Sequence, residues 1–301
     1  MLKNLLVTGG TGLVGSAINA DIKIGREYDL SNPLLCNMAF DRYRPTHVIH
    51  CAAKVGGLGG NMNHKGEYFY DNIMINTNVI ETARRYGVTN LVAFLSTCVF
   101  PDDIEYPLTE KKIHLGEPHF SNYPYAYAKR MADIQIRAYR EQYGLNYTSV
   151  IPSNIYGPND NFSLEHGHVI PMLLHKLYLA QQNNTDFTVW GSGKPLREFI
   201  FSKDVAKLAE WAVTEYNESE PIIFSTAEEI SIMDLVDLLV KEFEFKGRVI
   251  FDKTKPDGQY RKPSDNSKLK SYLPDFKFTP IEQGIKETVK WFKENYETSR
   301  K

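Results

Sequence analysis

Along the first 150 positions, apolar residues fall into short unbroken runs separated by longer stretches where they recur at helical spacing. Leu5-Leu6-Val7, followed by Thr8 and a cluster of glycines, reads as a strand entering a tight turn, and Leu13 to Asn19 reads as the helix after it. The theme repeats. A helical stretch near Leu34 to Tyr43 precedes the buried-type run Thr46-His47-Val48-Ile49-His50-Cys51. A helix from about Tyr70 to Tyr86 precedes Leu91-Val92-Ala93-Phe94-Leu95-Ser96, and the helix carrying Lys129 precedes Asn146-Tyr147-Thr148-Ser149-Val150-Ile151. Apolar strands alternating with helices predict an α/β protein built on a doubly wound parallel sheet, with ligands at the carboxyl ends of the strands.

After Pro152 the regularity weakens. The loop Gly157-Pro158-Asn159-Asp160-Asn161, a helix near Val169 to Gln181 and a short strand at Phe187 to Trp190 predict a smaller lobe. The chain is expected to return to the sheet through Phe199 to Tyr216 and Ile222-Ile223-Phe224, and the stretch from about Ser231 to finish the second lobe. With no internal repeat and no low-complexity linker, the two parts are interleaved: residues 1–165 and 196–228 form the nucleotide-binding domain, and 166–195 and 229–301 the substrate lobe.

Composition narrows the partners. A chain of 301 residues that is 42% hydrophobic can bury an ordinary core. The formal charge of -2 comes from 35 basic and 37 acidic residues dispersed along the chain, with no basic block to track a nucleic acid. No apolar run approaches the roughly 20 residues needed to span a bilayer, and Met1-Leu2-Lys3-Asn4 leads straight into a strand-like run, so no membrane partner is expected. Cys36, Cys51 and Cys98 form no CxxC and give an odd count, which suits a reducing cytoplasm.

The glycine cluster reads Gly9-Gly10-Thr11-Gly12-Leu13-Val14-Gly15. Gly9, Gly12 and Gly15 fall at the strand-to-helix junction, where missing side chains let backbone amides approach a pyrophosphate and the positive helix end stabilises its charge. This is a Rossmann-type dinucleotide cradle. After the second strand, a carboxylate favours a free ribose 2'-hydroxyl, and an arginine favours a 2'-phosphate. Arg26 stands there and points to NADP(H), while Glu27 and Asp29 follow closely and keep the other choice open.

In Tyr125-Ala126-Tyr127-Ala128-Lys129 a tyrosine lies four residues before a lysine, on one helical face. The ammonium can reach a cofactor ribose, and its charge is expected to lower the phenol's pKa, so that Tyr125 delivers a proton to a carbonyl as hydride arrives. Ser96, at a predicted strand end, can donate to the same oxygen, or can simply cap the strand.

These motifs, in this order and over essentially the whole chain, resemble the extended short-chain dehydrogenase/reductase family. The resemblance implies catalytic roles for Ser96, Tyr125 and Lys129. It also implies cofactor contacts at Gly9, Gly12, Leu13, Val14, Gly15, Arg26, Asp29, Leu30, Ala52, Ala53, Lys129, Pro152, Asn154, Ile155 and His168, and a homodimer. One departure is Gly10-Thr11, where some members carry a basic residue that reads the 2'-phosphate; that task then falls to Arg26. The segment before Asp29 is short, leaving little room for a long second strand.

Further segments separate the branches of the family: Ser96-Thr97-Cys98-Val99-Phe100-Pro101, Gly167-His168-Val169-Ile170-Pro171, Cys51-Ala52-Ala53-Lys54-Val55-Gly56-Gly57, Pro158-Asn159-Asp160-Asn161-Phe162, Trp190-Gly191-Ser192-Gly193 and Lys255-Pro256-Asp257-Gly258. They resemble the branch that epimerises C3 and C5 of GDP-4-keto-6-deoxy-D-mannose and reduces C4 with NADPH. A C4 ketone acidifies the hydrogens on C3 and C5, so one base and one acid on opposite ring faces can invert both centres. The resemblance gives these roles to Cys98, whose thiol is the closest in pKa to neutrality among the plausible groups near Ser96, and His168. It places GDP-sugar contacts at Lys176, Trp190, Arg197 and Asp257, where Arg197 can offer phosphate a fork and Lys176 a point charge. Trp190 can pack on the nucleotide or fill the lobe's core. Arg261 is a further cation without an assigned role. A UDP- or dTDP-sugar C4-epimerase and a non-catalytic NADP-binding regulator remain as alternatives.

Overall fold

The computed structural model describes residues 4–255 and 257–301, so Pro256 of the Lys255–Gly258 segment lies outside the described residues. In chain order the first half contains β1 (Leu5–Thr8), β2 (Ile22–Ile24), α1 (Pro33–Tyr43), β3 (His47–His50), α2 (Leu58–Asn63), α3 (Lys65–Arg85), β4 (Asn90–Phe94), α4 (Tyr123–Tyr143) and β5 (Asn146–Pro152). The second half contains β6 (Asn154–Tyr156), α5 (Val169–Gln182), β7 (Phe187–Trp190), β8 (Leu196–Phe201), α6 (Ser202–Glu215) and β9 (Ile222–Phe224). It ends with β10 (Glu229–Ser231), α7 (Ile232–Phe243), β11 (Val249–Asp252), α8 (Ser267–Tyr272) and α9 (Ile281–Glu294).

The main sheet is parallel, in the order β2-β1-β3-β4-β5-β9. Every residue of β1 is buried because both faces of the sheet are covered. On one face Leu6, Val48, Leu91 and Tyr147 pack under α1, α3 and α4; on the other Leu5, Val7, Ile49 and Val92 pack under α6. The order reverses between β1 and β3, and the crevice above their carboxyl ends is where this topology places a ligand.

Local chemistry sets the helix limits. Asn32 caps α1 by accepting from Leu34 N at 2.9 Å, with Pro33 at the first helical position. Gly144 closes α4 in the left-handed region at φ 66°, which costs glycine little. α3 starts at Lys65, five residues before the expected Tyr70, because its first turn is polar and hides the period.

Two expectations are corrected. The segment after the fingerprint is not a regular helix over Leu13–Asn19: it winds through successive turns, with Ser16 N donating to Gly12 O at 2.9 Å and Ala17 N to Val14 O at 2.9 Å. The cradle therefore relies on individual amides more than on a long helix dipole. Of the returning segment, only β9 rejoins the main sheet. β8 pairs with β10 and β6 in a separate three-stranded sheet, while α6 supports the main one. A third apolar cluster, including Phe162, Leu174, Phe187, Leu235 and Phe292, holds α5, α7 and α9 against β7 and β8. β2 is three residues long, as the short segment before Asp29 predicts.

Candidate active site

A cleft of about 640 Å³ opens above the carboxyl ends of β1, β3, β4 and β5. It is lined by Gly9, Gly12, Leu13, Val14 and Gly15 from the fingerprint, and by Arg26, Asp29, Leu30, Ala52 and Ala53. Ser96, Tyr125, Lys129, Pro152, Asn154, Ile155 and His168 complete the expected set. Cys98, Lys176, Trp190, Arg197 and Asp257 lie outside this lining.

Two fingerprint glycines are required by packing. Gly9 has φ +68°, and a Cβ there would stand 2.9 Å from Ala52 N; a Cβ on Gly15 would stand 2.3 Å from Gly9 O. Beneath them runs a buried polar chain that sequence reading missed. Thr8 Oγ1 bonds His50 Nδ1 at 2.7 Å, His50 Nε2 bonds Asn76 Oδ1 at 3.1 Å, and Asn76 Nδ2 donates to Ala128 O at 3.3 Å. Burial, aided by the Lys129 charge and opposed by Asn76, pulls His50 down to about 3, so its ring stays neutral. The chain ties the glycine turn to the helix that carries Lys129.

Both carboxylates near Arg26 are engaged locally. Glu27 Oε1 accepts from Gly25 N at 2.7 Å, and Asp29 Oδ1 accepts from Ser31 N at 3.0 Å and Ser31 Oγ at 2.7 Å. The competition left open by the sequence is thus tilted towards the arginine.

Lys129 is 1% exposed, and its Nζ donates to Phe94 O at 2.8 Å. Burial lowers it to about 8, against the opposing influence of Cys98 and Cys51. Its Nζ lies 5.8 Å from the centroid of the Tyr125 ring. The expected lowering of the phenol is not observed: burial, with Cys98 and Tyr68 adding to it, holds Tyr125 well above the ordinary range. Tyr125 therefore keeps its proton. Ser96 Oγ accepts from Cys98 N at 3.4 Å, capping the short 3-10 turn Thr97–Val99, so the hydroxyl both lines the cleft and fixes the backbone of Cys98. The Cys98 thiol is also moved away from neutrality. Burial pushes Cys98 up, and Ser96, Lys262 and Lys129 pull it back. Lys262, which sequence reading did not single out, is a cation that favours the thiolate.

His168 comes from the other lobe, at the amino end of α5. Its loop is latched to the sheet domain by Gly57 N donating to His166 O at 2.7 Å, and a Cβ on Gly57 would stand 2.6 Å from Gly167 O. Asp160, 3% exposed, is pushed up to about 6 by burial, with His168, the Asn161 amide and Arg300 opposing. Asn61 Oδ1, Ser153 Oγ, Asp160 Oδ2 and His166 Nδ1 are buried without partners, and all four residues line the cleft. A wall with this many unsatisfied polar atoms fits a long polar ligand such as a dinucleotide.

The expected substrate residues form a rim of the second lobe. Lys176 and Trp190 line a shallow pocket of about 340 Å³, and Lys176 Nζ sits 4.7 Å from the Trp190 ring centroid. Trp190 is 59% exposed, so it does not fill the core. Asp257 accepts from Ser192 Oγ at 2.8 Å, just beyond Trp190. Arg197 Nη1 donates to Leu196 O at 2.7 Å, and its Nη2 lies 3.8 Å from the Cβ position of Gly258. Arg261 is committed to Glu229, with Nε donating to Oε2 at 2.7 Å, which gives it a structural role between β10 and the loop beyond β11.

Comparisons with known proteins agree with this geometry. The profile of the NAD dependent epimerase/dehydratase family matches residues 19–225. The chain is 51% identical to the GDP-L-fucose synthase of Dictyostelium discoideum, over 99% of this chain and 98% of that one. It is 34% identical to the GDP-L-fucose synthase of Escherichia coli (strain K12), over 99% of each. The crystal structure of a GDP-L-fucose synthetase from Naegleria fowleri bound to NADP superimposes with a TM-score of 0.95 at 48% identity, covering 100% of this chain and 96% of that one. A parallel sheet with its glycine cradle, a Ser-Tyr-Lys set at the strand ends and full-length similarity lead to one assignment: the chain belongs to the NAD dependent epimerase/dehydratase family and, within it, groups with the GDP-L-fucose synthases.

Proposed function

We propose that this protein converts GDP-4-keto-6-deoxy-D-mannose to GDP-L-fucose, by epimerisation at C3 and C5 followed by NADPH-dependent reduction at C4. The observation that carries this reading is the meeting of Ser96, Tyr125 and Lys129 with His168 of the second lobe in one cleft, with Cys98 inside the short 3-10 turn that Ser96 caps. The fingerprint amides and Arg26 hold NADP(H), and Lys129 and Asn154 lie along the same wall. The bound cofactor supplies the hydride.

The chain's own groups do the rest. Cys98 takes the proton from C3 or C5 while the electron pair moves onto the C4 oxygen, where Ser96 donates a hydrogen bond. His168 returns a proton to the opposite face, and before the second centre is inverted Cys98 releases its proton to solvent and His168 takes one up. After both inversions Tyr125 gives its proton to the C4 oxygen. The rim of Lys176, Trp190, Arg197 and Asp257 takes the GDP moiety, with Arg197 on a phosphate. The testing assay mixes the protein with NADPH and GDP-4-keto-6-deoxy-D-mannose and reads product stereochemistry by NMR. One NADPH is oxidised per GDP-L-fucose formed; no net oxidation, or a product with unchanged C3 and C5, overturns the reading.

Lys129 gives this reaction a pH limit. With its pKa lowered to about 8, the ammonium is present below that pH and lost above it. We expect kcat/KM for reduction to fall about tenfold per unit above pH 8, and Lys129→Arg to remove that limb; a flat profile to pH 10 contradicts it.

We place the homodimer contact on the outer faces of α3 and α4, where Phe69, Tyr70, Met131 and Ile134 are exposed. Ile134→Glu should convert a dimer to a monomer in light scattering with the melting temperature nearly retained, and a monomeric wild type refutes this. Cys36, Cys51 and Cys98 are free thiols, in keeping with a cytoplasmic setting. Among the described residues no helix is long and apolar enough to cross a membrane.

A further inference from the structure

The cofactor cleft has a second cationic wall that lies far from the fingerprint in sequence. After α9 the chain turns back, and Arg300 forms a parallel bridge with Asn161; Phe162 N donates to Arg300 O at 2.8 Å. Arg300 Nη2 donates to Asn159 O at 2.8 Å, which anchors one arm of the guanidinium on the loop that also carries Asp160. The side chain lines the same cleft as Arg26, Gly12 and Gly15.

The charges there are unbalanced. Among the described residues the arginine ion pairs belong to Arg44, Arg84, Arg137, Arg248 and Arg261, and neither Arg26 nor Arg300 is in one. Glu27 and Asp29 are turned to backbone amides, and Asp160 spends one oxygen on Asn161 N at 2.7 Å. Partial desolvation and the Arg26 charge both pull Arg300 below the ordinary guanidinium range, with Asp160 opposing, so the two arginines sense one another across the cleft. Two cations lining one cleft repel until an anion lies between them, and guanidinium forks match phosphate oxygens. The pyrophosphate is already served by the fingerprint amides. Arg26, directly after β2, stands where this fold reads the ribose 2'-position.

We propose that Arg300 joins Arg26 in holding the 2'-phosphate of NADPH, so that the segment after α9 sets the preference for NADPH over NADH. This rests on the reading of the cleft as the NADP(H) site. Calorimetric titration of the full-length protein with NADPH and, separately, NADH tests it without substrate. Arg300→Gln should weaken NADPH about tenfold to a hundredfold, change NADH less than twofold, and be partly rescued by Arg300→Lys. Adding Arg300→Gln to Arg26→Gln should cost less than it costs alone, since both grip one phosphate. Unchanged NADPH affinity in Arg300→Gln, or equal losses for both cofactors, overturns the role of Arg300 alone. A wild-type protein that binds neither cofactor overturns the reading of the cleft itself.

Discussion

Tyr125→Phe should reduce C4 about a thousandfold more slowly than the wild type while leaving deuterium exchange at C3 and C5 and NADPH affinity nearly unchanged. The phenol is held well above its ordinary range by burial, Cys98 and Tyr68, so across the working pH it carries the proton that the reduced C4 oxygen needs. Phenylalanine keeps the ring against which Lys129 sits at 5.8 Å and removes only the proton, so the fold and the cofactor wall are preserved. Single-turnover NADPH oxidation and NMR-detected exchange, run on the same sample, separate the two steps. Equal loss of both would mean that Tyr125 also drives enolisation, and the division of labour proposed above would be wrong.

Cys98→Ser should do the opposite. Replacing the thiol by a hydroxyl of far higher pKa should suppress exchange at C3 and C5 by about a hundredfold to ten thousandfold while cofactor binding is unaffected. Because burial pushes the thiol up, the thiolate fraction, and with it the exchange rate, should rise about tenfold per pH unit until the thiol titrates. Reduction is limited in the other direction by Lys129, whose charge fades above about 8. Alkaline pH should therefore let exchange outrun reduction. Full exchange in Cys98→Ser would remove Cys98 as the base.

Much of this was legible in the chain because the chemistry is local. The fingerprint, Tyr125 and Lys129 each rest on spacing within one turn or one helix, and short apolar runs identified β1, β3, β4 and β5. The parallel, doubly wound character of the sheet followed from strand–helix alternation. What could not be read were burial and long-range partners. Burial reversed the expected shift at Tyr125 and raised the Cys98 thiol, since a sequence shows which charges are near in the chain but not how much water is lost. Lys262 and Arg300 reach their places through loops more than a hundred residues from Cys98 and Arg26, and no spacing rule links them. The turn after Gly15 carries a helical apolar pattern, yet Gly15 packs directly on Gly9 O, and this close approach favours a wound turn over a regular helix.

The bond from Gly57 N to His166 O fixes an alignment tolerance. His168 belongs by chain position to the lobe that carries the nucleotide rim, yet its loop is fastened to the frame that carries Tyr125 and Ser96. The two proton donors proposed for inversion and reduction, His168 and Tyr125, thus share one frame of reference. In an engineering sense, position 57 is a set screw: anything larger than glycine there presses on Gly167 O and shifts the neighbouring His168, the proposed acid.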